Sequence, residues 1–243
     1  MSKRDDLIQF YRILGELRFA VGGTRTLANA HAGMRWLKRG VYFFMDPGEF
    51  RRDTGEGLRV TRVGTHAVSE GAKTTLWNRL SQHRGAVTHG GGNHRGSVFR
   101  KILGEAILAR DGKQHATWGH GNTAHRKVRE GEQEMERRVS AYVRQLAFLW
   151  VEISDPPSKT SHRSFIERNA IALLSNFTTT DRLDPPTDAW LGLCCPKEAV
   201  LRSGLWNSNY VSEAHDREFL RVLEGHVNVF TAGLVGKSDS GGA

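Results

Sequence analysis

Three short apolar runs, unevenly spaced, limit what this sequence can fold into. The first, GVYFFM, spans residues 40–45. The second, LRVTRVGT at 58–65, alternates apolar and polar positions, the period of a strand with one buried face. Twelve residues separate them, DPGEFRRDTGEG, dense in turn formers rather than helix formers. That arrangement predicts an antiparallel hairpin with a long loop, carrying Arg51 and Arg52 near its tip. The third run, AFLWVEI at 147–153, follows only after a long stretch that reads as helices and loops.

Those helices are legible from their periodicity and punctuation. Residues 5–20 place Leu7, Ile8, Tyr11, Leu14 and Leu17 at helical spacing, with Asp5 and Asp6 at the positive end and Gly22-Gly23 as the stop. TTLWNRLSQHRG, residues 74–85, reads as a short helix with Ser69, Thr74 or Thr75 as its cap and Gly85 as its stop. Further helices are predicted over 97–111 with Ser97 as cap, over 132–146, and over 164–176 with Ser161 or Ser164 as cap. The last fifty residues read as loops plus a helix around REFLRVLEGHVNVF, and the tail 236–243 as disordered. The predicted class is therefore α/β, with a small, mainly antiparallel three-stranded sheet flanked by helices and carrying helical and loop elaborations.

The charge balance points to a partner. Lysine and arginine total 35 against 26 acidic residues, a formal charge of +9, and such an excess favours nucleic acid. The glycine-rich loop HGGGNHRGS could approach a phosphate backbone closely, with Asn93, His94, Arg95 and Arg100 as contacts. His115, His120 and His125 stand five apart in a polar segment, but no cysteine accompanies them, which makes a zinc site a weak reading. SGLWNSNYV at 203–211 reads first as a packed motif. Adjacent Cys194 and Cys195 rarely bridge and read as free thiols of a cytoplasmic protein. No apolar stretch long enough to span a membrane and no signal-peptide pattern is predicted.

Arg79 and His83 lie four residues apart, so they project from one face of their helix. This pair, between the GVY strand and the helix SFIERNAIALLSN, resembles the GIY-YIG nuclease superfamily. Gly40-Val41-Tyr42 matches the first signature, and Arg62-Val63-Gly64 stands where the family has Tyr-Ile-Gly. Arg79 and His83 match the arginine and the histidine four residues later. Glu167 matches the glutamate on the helix after the third strand, and Asn176 the asparagine beyond it. The resemblance covers residues 38–178, with an insert at 86–146 longer than the minimal module. It divides the chain into an N-terminal helical extension, 1–37, that core, and a C-terminal extension, 179–243, packed on it.

The resemblance implies a metal-dependent endonuclease acting on double-stranded DNA. Glu167 would ligate Mg²⁺ or Mn²⁺, and Arg79 would hold the scissile phosphate. Tyr42 would activate water, helped by Arg62 and His83. Asn176 would join the nucleic-acid contacts. The chain's size and elaborations look most like the restriction-endonuclease branch, where cutting short palindromes needs two active sites and hence a homodimer. Arg62 departs from the family tyrosine and keeps two alternatives open: a nucleic-acid-binding protein that has lost activity, and a structure-specific repair nuclease.

Overall fold

A computed structural model describes residues 2–34, 36 and 38–238. Helix α1 (Lys3–Ala20) opens the chain, its Ser2 cap and Asp5 forming a reciprocal capping box. Then follow strands β1 (Arg25–Thr26), β2 (Gly40–Met45) and β3 (Arg62–Gly64). Helices α2 (Leu76–Arg84), α3 (Val98–Arg110), α4 (Arg126–Gly131) and α5 (Gln133–Gln145) lead to β4 (Ala147–Glu152). Helices α6 (His162–Leu174), α7 (Glu198–Ser203) and α8 (Glu218–Ser238) complete the order. The tail expected to be disordered falls on α8 as far as Ser238 and otherwise lies outside the described residues. Cys194 and Cys195 are free thiols.

The sheet is antiparallel throughout, in the order β1-β4-β2-β3. It has four strands where three were expected. The additional strand is two residues long, pairing Arg25 with Phe148 and Thr26 with Ala147, too short to leave a periodic signal. The hairpin forms as expected, but its second strand keeps only Arg62–Gly64 of the predicted 58–65. Upstream of it the chain leaves the ladder, where Arg59 forms a buried ion pair with Glu49 at 2.8 Å and Phe50 bridges to Leu58.

Strand β2 is buried along its whole length because it separates two cores. Val41, Phe43 and Met45 face one side with Leu149 and Val151, against α1, α6 and α8. Tyr42 and Phe44 face the other with Phe148 and Trp150, against α2, α3 and α5. A strand covered on both faces reads as a continuous apolar run, which explains GVYFFM.

Both glycines of the paired signatures are required by contact. A Cβ on Gly40 would stand 2.3 Å from the Val151 carbonyl oxygen on β4. A Cβ on Gly64 would stand 2.3 Å from Tyr42 Oη, because Gly64 is the cross-strand partner of Tyr42 and the phenol lies over it.

The insert is held by buried charges, and these correct three expected DNA contacts. Arg95 forks onto Glu132 at 2.5 and 2.8 Å. His94 Nδ1 lies 2.9 Å from Glu136 Oε1, its Nε2 accepts the Gly119 N–H, and its ring stacks on Trp118. Arg100, with no exposed surface, donates to Glu136 and to the His83 carbonyl at 2.7 Å. These side chains tie α3 and the preceding turn to α5 and the end of α2, and none is free for a DNA backbone. Removing one partner of such a buried pair strands the other charge, at a cost of about 3–5 kcal/mol. Glu136→Ala should lower the stability measured by chemical denaturation by that amount. Burial alone would raise the Glu136 pKa, but His94 and Arg100 outweigh it and hold it below the usual range. Its contribution should therefore be complete above the unfolded carboxylate pKa, about 4.3, and vanish as pH falls through the lower folded value.

Candidate active site

Helix α2 is framed by a Thr75–Asn78 capping box and ends at Gly85, whose φ of 76° suits a residue without a Cβ. Leu76, Leu80 and His83 form its buried stripe, and Arg79 stands at the margin of that stripe, partly exposed. The register presses His83 onto Tyr42, with Nε2 2.8 Å from the phenolic oxygen. Phe99 of α3 closes the other side, its ring 5.4 Å from the His83 ring. The Arg62 guanidinium lies over Phe99, 4.6 Å from its centroid. Glu167, on the second turn of α6, reaches the end of β3 and accepts the Thr65 N–H at 3.1 Å.

The structure thus brings together Tyr42, Arg62, Arg79, His83 and Glu167, five residues separated by up to 125 positions in sequence. The two arginines act electrostatically on His83 and on Glu167. Burial, together with Arg79, Arg62 and Arg100, holds His83 well below its usual pKa, so the ring is neutral. Burial raises the Glu167 carboxyl, opposed by Arg62, the Thr65 N–H and Arg79. Burial also lowers Arg62, which feels Tyr42, Arg79 and Glu167. Tyr42 has no exposed surface, whereas Glu167 and Arg79 are partly accessible. Among the described residues Arg79 makes only long contacts, 3.3 Å to Gln82 and 3.4 Å to the Gly96 carbonyl, so its fork remains available for an anion. Beside it a groove of about 400 Å³ is bordered by Gln82, Arg84, Asn93 and Gly96.

The other expected contacts divide. Asn93 is exposed on this groove, although its side chain also caps the following turn. Arg52 is exposed, but Arg51 folds back to lie 4.2 Å over the Tyr11 ring and donates to the Thr54 carbonyl. Asn176 is corrected: its amide is buried and bonds both the N–H and the carbonyl of Leu183, locking the segment after α6. Among the described residues no group of three or more histidine, cysteine or acidic side chains is arranged to hold a metal.

A divalent cation at Glu167 is compatible with this chemistry. One carboxylate oxygen takes the Thr65 N–H, and among the described residues no arginine or lysine forms a direct ion pair with the group, although Arg62 and Arg79 act on it from further off. Mg²⁺ keeps several waters and needs only one or two carboxylates.

Sequence reasoning missed how the site is braced. The segment after α7 lies along the free edge of β3. The Trp206 N–H donates to Thr61 at 2.7 Å, and its carbonyl accepts from Arg62 at 2.7 Å. The Asn207 amide bonds both Val63 backbone groups, at 3.1 and 2.8 Å, in place of a neighbouring strand. His66, just beyond β3, was also missed. Burial pushes its pKa down to about 4, and its Nε2 bonds the Lys38 carbonyl. Asn207→Ala strips two buried backbone groups of their partners and should cost about 2–4 kcal/mol in a thermal or denaturant melt. Asn207→Ser should recover part of that loss.

The family comparison agrees with the geometry. The GIY-YIG domain profile matches residues 1–232. Neither the curated proteins nor the solved structures searched gave a significant match. The profile spans nearly the whole chain, both signature strands pair, and the helix arginine and glutamate converge beside them. The chain therefore belongs to the GIY-YIG domain family, a family of nucleases.

Proposed function

We propose that this protein is a divalent-metal-dependent DNA endonuclease that hydrolyses phosphodiester bonds. The observation that carries the reading is the convergence of a tyrosine oxygen, an arginine fork with no carboxylate partner among the described residues and a half-buried glutamate at the end of one hairpin. Glu167 would hold the cation, which when bound polarises the phosphate and steadies the leaving oxygen. The Arg79 fork binds two non-bridging oxygens of the scissile phosphate and orients it. Tyr42 Oη, once its own proton has passed to solvent, takes the proton of the attacking water, and the nearby Arg62 and His83 stabilise the phenolate that does so. Water attacks phosphorus in line with the leaving oxygen, which departs as the P–O bond breaks. Because Tyr42 is sealed in this state, the mechanism includes a rearrangement in which bound DNA draws Arg62 or Arg79 toward the phosphate and opens Oη.

The basic surface supports a polyanionic substrate, and the groove beside Arg79 offers a path for the strand. A sequence-specific, restriction-type enzyme acting as a homodimer on duplex DNA is the form of this activity that fits the long insert and the terminal extensions. The closed Tyr42 oxygen favours one second reading, a family member that binds nucleic acid without cutting it.

Plasmid digestion with and without Mg²⁺ separates the two. The parent should nick supercoiled DNA only with the metal, and Glu167→Gln and Arg79→Ala should each slow cleavage about 100-fold or more. Full activity in either variant would refute that residue's role. The raised Glu167 carboxyl also sets a sign for pH. Activity should require the ionised form and fall on the acid side.

A further inference from the structure

The groove beside Arg79 has further arginines along it, and none of them meets an acid. Arg84 and Ala86 line the groove together with Gly96, whose carbonyl takes the Arg79 contact. The turn after α2 closes through the Ala86 N–H and the Gly91 carbonyl, at 2.8 Å. Arg144 of α5 reaches this turn and donates to the Ala86 carbonyl at 2.6 Å. Arg84 lies 4.8 Å over the Trp77 ring and donates to the Ala30 carbonyl. The two cations feel each other: burial lowers the Arg84 pKa, and Arg144 lowers it further.

Arg137 stands seven positions before Arg144, on the same face of α5. A Cβ on Gly90 would lie 3.6 Å from Arg137 Cγ, so this side chain runs along the same turn. Arg137 is exposed and makes no hydrogen bond or ion pair among the described residues. Seven residues of helix span about 10 Å, room for separate phosphates of a strand that rises about 3.4 Å per nucleotide.

The contrast with the neighbouring structural arginines is sharp. Arg95 is matched by Glu132 and Arg100 by Glu136, both buried. Arg84 and Arg144 each spend one of five N–H groups on a carbonyl, and the rest have no carboxylate among the described residues. Half-buried like charges without a counter-ion are stabilised by an anion, and a groove that passes the phosphate-holding Arg79 leads a polyanion to them.

We propose that Arg84, Arg144 and Arg137 form a phosphate-binding track for the DNA strand whose scissile phosphate lies on Arg79. Arg84 and Arg144 share one non-scissile phosphate, and Arg137 takes another further along. The track fixes the course and register of the strand and reads no base. It rests on DNA as the substrate and is independent of cleavage.

The test is the affinity of the full chain for a fluorescein-labelled duplex, without divalent metal, from about 50 to 200 mM salt. Each phosphate contact adds about 0.9 to the slope of log affinity against log salt. Arg84→Gln with Arg144→Gln should therefore flatten the slope by about one, and Arg137→Gln by about one more. Arg84→Lys with Arg144→Lys should retain the parent slope, because the charge is kept. Arg137→Gln removes a charge that has no partner to lose, so it answers even if the double glutamine variant fails to fold. A slope unchanged by the glutamine substitutions would overturn the track, as would a lysine pair that loses as much as the glutamine pair. A parent that cuts plasmid in Mg²⁺ with its slope indifferent to these arginines would reject the track alone. A parent that binds through them and never cuts would reject the nuclease reading and leave the track standing.

Discussion

The phenol of Tyr42 lies over Gly64, and the architecture of the site depends on that contact. Any side chain at 64 would occupy the place of the ring. With the ring there, its oxygen is carried past β3 to the side where α2 delivers His83. The same strand pairing ends β3 at Gly64, and the next residue, Thr65, presents its N–H to Glu167. One glycine therefore sets the distance between the base and the carboxylate that would hold the metal, although the two side chains come from opposite faces of the sheet.

A polar cluster placed between two apolar cores needs partners, because each buried unpaired group costs about 1–3 kcal/mol, and few of its atoms, Arg62 Nε and His66 Nδ1 among them, go without one. The chain supplies those partners in layers. Asp46 accepts from both the Trp190 and Trp206 indoles, at 3.0 and 2.9 Å, and from the Tyr142 hydroxyl. This fixes Trp206, whose carbonyl holds Arg62. Arg163, fully buried, binds the His66 and Ala67 carbonyls and Asp155, and so joins α6 to the chain leaving β3. Arg100 anchors the end of α2 through the His83 carbonyl. The insert and the C-terminal segment are thus parts of the site's support rather than decorations on it.

The sequence made legible whatever depends on local pattern. Strand β2 showed as an unbroken apolar run, the cap of α3 as Ser97, those of α2 and α6 among two or three hydroxyl residues each, and the shared direction of Arg79 and His83 as a spacing of four. It concealed what depends on a distant partner. His94, Arg95 and Arg100 looked like DNA contacts because Glu132 and Glu136, their partners, sit up to 42 residues away on another element. Asn207 looked like packing because Val63, whose backbone it pairs, lies 144 positions upstream. Asn176 fitted the family pattern by spacing, yet its amide closes a local loop with Leu183. Residue type alone cannot tell a cation aimed at a phosphate from one aimed at a buried carboxylate.

The central claim is that the Tyr42 oxygen performs chemistry and is more than a core hydroxyl bonded to a histidine. Tyr42→Phe keeps the ring over Gly64 and removes one atom, so it isolates that claim from packing. The decisive measurement is the single-turnover rate of plasmid cleavage in Mg²⁺ by the parent and by this variant, with melting temperature and DNA affinity recorded alongside. The account predicts a loss of about 100-fold or more in rate, in the range of a positioned general base, with affinity and folding preserved. A phenylalanine variant that cleaves as fast as the parent would contradict it.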